Sequence, residues 1–80
     1  MYWEILEKGK ECKSADTKMG DSINAGECAQ KVKEAGGAFF IFSNDVTKHK
    51  RCYIENTATA NCDEGWEDDS YDFYEIKGNF

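Results

Sequence analysis

Four cysteines in a chain of 80 residues constrain what it can fold into more than any other feature. A domain of this length buries too little surface to depend on its core alone, so covalent staples are expected. A zinc site would need cysteines in close pairs, two to four residues apart. Cys12, Cys28, Cys52 and Cys62 form no such pair, and His49 stands alone. A redox dithiol would need Cys-x-x-Cys, and a thiol protease a larger fold around its cleft. Disulfides imply an oxidising compartment. Met1-Tyr2-Trp3-Glu4 opens the chain without a basic or apolar leader segment. Either the thiols stay reduced in a cytosol or, as the favoured expectation, this is a mature or excised domain, extracellular or in an organelle lumen, whose targeting signal lies elsewhere.

Charge and aromatic content remove several classes. Sixteen acidic against ten basic side chains leave a net charge of -6, the wrong sign for a nucleic-acid binder. No apolar run approaches the roughly 20 residues that cross a bilayer. Aromatics at 14% supply enough to bury, which argues against disorder. With no proline, a proline-rich ligand or linker is excluded. The length fits one domain over residues 1–80.

Along the chain, Tyr2 to Glu7 is an aromatic and β-branched run that reads as a strand. Lys8 to Gly20 is polar and reads as a loop pinned through Cys12. Asp21 to Ala35 reads as a helix: Asn24 is the N-cap, Glu27 completes a capping box, and Ile23 with Cys28 would form a hydrophobic staple. Cys28, Val32 and Ala35 recur on one stripe, and Gly36-Gly37 stops the helix. Ala38 to Phe42 is continuously apolar and has the length of a buried central strand. Ser43-Asn44-Asp45 signals a turn, and Cys52 to Glu55 reads as the return strand of a hairpin. Residues 56–61 and the acidic stretch from Cys62 to Ser70 read as loops. Ser70 to Lys77 is a strand with Tyr71, Phe73 and Glu75 on one face and Asp72, Tyr74 and Ile76 on the other. Neither face is cleanly polar, so this strand should be covered on both sides. One helix across an antiparallel sheet is an α+β arrangement.

Four cysteines allow three pairings. Cys28 lies on the helix stripe and Cys52 opens a strand under it, so a bridge between them would join helix to sheet. Cys12 and Cys62 lie just inside the terminal strands, where a bridge would tie the ends together. The expected pairing is nested, Cys12–Cys62 outside and Cys28–Cys52 inside.

These residues resemble the PAN/apple domains. The segments that carry the likeness are Ser22 to Ala29, ending in Glu-Cys-Ala; Gly36 to Phe42, a glycine turn into an aromatic strand; and Lys50 to Ile54, a basic turn into Cys-Tyr. Glu64 to Glu75 is similar to the closing segment of a variant repeated in proteins of unicellular algae. The resemblance implies a helix cradled by a curved antiparallel sheet and the same nested disulfides. Many members carry a further bridge whose positions here are Val32 and the Gly37 region; both cysteines are absent together, leaving no orphan thiol. It also implies a non-catalytic module that binds proteins or carbohydrates, often in tandem with other domains.

Each candidate site also has a plainer role. The basic run Lys48, His49, Lys50 and Arg51 would meet an acidic protein or a sulfated glycan, or simply be a solvated turn. Trp66, with Trp3, Tyr53 and Tyr74, would stack on sugar rings, although a small domain needs such aromatics in its core. Asp63, Glu64, Glu67, Asp68, Asp69 and Asp72 lack the spacing of a calcium loop and read as a solvated acidic face. No serine–histidine–acid set, glycine-rich phosphate loop or paired carboxylates in an apolar setting is present. No enzyme, metal or cofactor is expected. The principal expectation is a binding module for a protein or glycan. The alternative is a structural building block, either a small extrinsic lumenal subunit of a membrane complex or a repeat of an extracellular assembly.

Overall fold

The computed structural model describes residues 1–44 and 50–78. The elements are β1 (Tyr2–Glu7), β2 (Lys10–Cys12), β3 (Asp16–Asp21), α1 (Ala25–Glu34), β4 (Phe39–Ser43), β5 (Arg51–Glu55), β6 (Trp66–Asp68) and β7 (Tyr71–Lys77). Five strands make an antiparallel sheet in the order β1-β7-β4-β5-β3, and β2 pairs with β6 in a separate ribbon. This is the expected α+β class, with one helix and two disulfides. No helix among the described residues is long and apolar enough to cross a membrane.

Helix α1 begins where its cap dictates. Asn24 Oδ1 accepts from the Glu27 amide at 2.9 Å, and Glu27 Oε1 reaches back to accept from the Ile23 amide at 3.3 Å. The helix therefore starts at Ala25, later than the expected Asp21, which instead ends β3. Its C-terminus closes with paired bonds: Gly37 N donates to Val32 O and Gly36 N to Lys33 O, both at 2.9 Å. Gly36 has φ +83°, the left-handed conformation that this Schellman arrangement requires. The expected staple does not form: Cys28 is fully buried, but Ile23 is 69% exposed.

The sheet has a core on each face. Between α1 and the sheet pack Cys28, Ala29, Val32, Phe40, Cys52 and Ile54. Under the ribbon, on the other face, pack Cys12, Phe39, Ile41, Cys62 and Phe73. Strand β4 is buried along its whole length because it is central and covered twice. Strand β7 is likewise split, sending Phe73 and Tyr71 to the ribbon side and Tyr74 and Ile76 to the helix side. Cross-strand rings reinforce each layer. Phe40 stacks on Tyr74 with centroids 4.8 Å apart, and Trp66 meets Phe73 edge-on at 4.8 Å.

Each core contains one disulfide, Cys28–Cys52 under the helix and Cys12–Cys62 under the ribbon, as the sequence led us to expect. No described cysteine is free. Three expectations need correction. Lys8 to Gly20 is not one loop, since it holds β2 and β3, and the acidic stretch holds β6. Cys12 accordingly lies on a strand and not in a loop. These strands carry little apolar periodicity because β3 is an exposed edge and β2 and β6 pair chiefly with each other.

Candidate binding surface

Among the described residues, concave regions lie at each end of α1. One, about 360 Å³, is bordered by residues 36–39 and 54–58. The other, about 270 Å³, lies between the start of α1 and the sheet, bordered by Ile23, Asn24, Phe42, Lys50, Asp72 and Tyr74. The second adjoins the turn that the sequence singled out, and its side chains are better differentiated.

Its geometry follows from the local sequence. The capping bonds at Asn24 and Glu27 hold residues 23–25 as one wall, and Lys50 Nζ donates to Ile23 O at 3.1 Å across the opening. The Ser22 amide also donates to Lys50 O at 2.9 Å, so the chain before the helix is fixed to the chain before β5. Asp72 Oδ1 accepts from the Gly9 amide at 2.8 Å and from Asn44 Nδ2 at 3.0 Å. The Tyr74 hydroxyl is raised above its ordinary value, by burial first and by Asp72 second. The result is an apolar floor bordered by the Lys50 ammonium, the Asn24 and Asn44 side chains and the Asp72 carboxylate. Exposed Ile23 stands at its edge, where burial against a ligand would release roughly 1.5–3 kcal/mol.

The sequence-selected residues divide. Lys48 and His49 lie outside the described residues. Lys50 faces the helix start, whereas Arg51 lies near the Tyr71 hydroxyl, which it pulls downward against the stronger upward effect of burial. Trp66 is half-buried against Phe73 and Cys12 in the ribbon-side core. Ile23 was not singled out as a surface residue, because its position before the N-cap marked it as a staple. Only its exposure in the folded chain reveals it.

The acidic side chains are dispersed. Glu64 accepts from Thr57 Oγ1 at 2.8 Å, and Asp72 belongs to the groove. Glu11 lies opposite Glu67 in the ribbon, with Asp69 and Asp16 nearby. Burial and those carboxyl neighbours push Glu11 up to about 8. The one metal-ligand grouping among the described residues is Cys12, Cys62 and Glu64, and both sulfurs there are consumed in a disulfide.

The fold and surface define a small, two-disulfide α+β domain whose described concave surfaces are mixed apolar and polar grooves. No family model, curated protein or solved structure matches the chain.

Proposed function

We propose that this chain is a non-catalytic, PAN/apple-like binding module, stapled for service outside the cytosol, that engages a protein or carbohydrate partner. The observation that carries this reading is the groove beside Lys50, with a large aliphatic side chain left in water at its edge. Ile23 together with the apolar floor at Phe42 and Tyr74 supplies apolar contact area ringed by a few placed polar groups, the make-up of a ligand site. The groove suits a ligand with an apolar body and an anionic or hydroxylated group near Lys50. The two disulfides fit an oxidising compartment, whether extracellular or lumenal.

A glycan array and a pull-down with the oxidised chain test this reading. Ile23→Asp and Lys50→Ala should each weaken the captured ligand, the first by about thirtyfold if Ile23 anchors the contact. Circular dichroism should show both variants folded. Capture unaffected by either change would move the site elsewhere. If the monomer captures nothing and native material shows ordered contacts only between neighbouring chains, the structural building block replaces the binding module.

A further inference from the structure

We propose that the free edge of β1 is a docking site for an extended strand of a partner protein, one that alternates apolar and basic residues. This deepens the binding-module reading by adding a second surface and the chemistry of its partner. In the sheet order, β1 and β3 are the outer strands. Among the described residues nothing pairs beyond β1, so its outward N–H and C=O groups form an open hydrogen-bonding row. Its regular stretch, Tyr2 to Ile5, offers roughly 13 Å of backbone before the register shift at Glu7.

The two edges are built differently. Edge β3 carries Asp16, Lys18 and Asp21, and its pairing shifts register between Lys18 and Asp21. Charge and irregularity are the usual protection of an edge against added strands. Edge β1 also shifts register, between Ile5 and Glu7, and carries Glu4 and Glu7, but its regular stretch has a single charge and presents Tyr2, Trp3 and Ile5, which are 50%, 40% and 39% exposed. Three of the four large exposed apolar side chains among the described residues are thus on this one strand, and the fourth is Ile23. Trp3 is held in place: a Cβ on Gly26 would come within 3.0 Å of its ring, so the indole lies against the first turn of α1. Ile5 lies opposite Tyr74 on β7, so it borders the same side of the sheet.

Charge specifies the occupant. Glu4 lies directly opposite Glu75, and Lys77 Nζ is 3.4 Å from a carboxylate oxygen of each. Two carboxylates share one ammonium, leaving a surplus negative charge on the face opposite Trp3 and Ile5. An incoming strand would therefore place apolar side chains beside Trp3 and Ile5, and a lysine or arginine beside Glu4. Strand alternation makes these demands compatible, because successive side chains point to opposite faces. A second copy fits poorly, since each chain carries a charge of -6 and would present Glu4 and Glu7 to the same residues.

The test uses the oxidised, isotope-labelled chain and a capped nine-residue peptide alternating valine and lysine. Amide shifts should move along residues 2–7, and the corresponding valine–glutamate peptide should bind about tenfold more weakly. Glu4→Lys should reverse that preference, and proline in place of two adjacent residues should abolish binding by removing a backbone donor that faces the edge. Equal affinity for both charge versions, undiminished binding of the proline peptide, or no binding at about 1 mM would overturn the proposal. So would shifts confined to the groove at Ile23 and Lys50, or a concentration-dependent dimer through β1. Glycan or protein capture sensitive to Ile23→Asp reports on the binding-module reading separately, and survives failure of the edge.

Discussion

Glu55 is the residue whose environment is least compatible with its chemistry. It closes β5 opposite Asp16, is 2% exposed, and neither carboxylate oxygen has a hydrogen-bond partner. Burying such a group without compensation is costly, whereas an apolar side chain of similar length would fill the space without that cost. Glu55→Met should raise stability by about 1–3 kcal/mol, read as a higher denaturant midpoint with unchanged slope. A lower midpoint would show that the carboxyl has a structural partner. Gly37 illustrates the opposite constraint. A Cβ there would fall 2.8 Å from Val32 Cγ1 and 3.1 Å from Ile54 Cγ2, so only glycine lets the helix exit pass this closely over the sheet. Sequence marked Gly36-Gly37 as a helix stop, but only packing assigns the two glycines different duties: Gly36 supplies the left-handed turn and Gly37 the close approach.

At the scale of elements, the β2–β6 ribbon is the part most sensitive to pH. Glu11 faces Glu67 directly, and burial, ahead of hydrogen bonds with Asp69 and Glu67, lifts it from an ordinary 4.5 to about 8. A carboxyl group raised on folding contributes most when protonated in both states, below about 4.5. That contribution is lost as pH rises towards 8. Glu11 is incompletely buried, so solvent screening holds the effect to about 1 kcal/mol. Glu11→Gln should flatten the fall in denaturant midpoint across this range, and a slope unchanged by the substitution would remove the ribbon as its origin. None of this was visible in Lys10-Glu11-Cys12 alone. A three-residue polar strand has no periodicity to read, and its pairing with Trp66–Asp68 spans more than fifty residues. Helix α1, in contrast, carries its own start and stop signals within about a dozen residues, and these were legible at once.

For the whole molecule, the two staples are not equivalent. Cys12–Cys62 closes a separation of 50 residues and Cys28–Cys52 one of 24. Chain entropy assigns them about 4 and about 3.5 kcal/mol when each is considered alone. That is a large share of the 5–15 kcal/mol typical of a folded domain. Paired alanine substitution at Cys12 and Cys62, or at Cys28 and Cys52, should lower the thermal midpoint sharply, and reduction of both bridges should unfold the chain at 37 °C. A reduced chain that keeps its near-ultraviolet circular dichroism would show that the two cores suffice without the bridges.

The sequence by itself determined the helix and its caps, the buried central strand, the two-sided closing strand and the nested cysteine pairing. Each of these rests on local spacing or on apolar side chains that must leave water. Only the tertiary structure decided that three polar segments become strands, that the sheet carries a core on each face, and that Ile23 stays in water beside Lys50. Those outcomes depend on which edges and faces distant segments find, a property of packing that no single stretch of chain encodes.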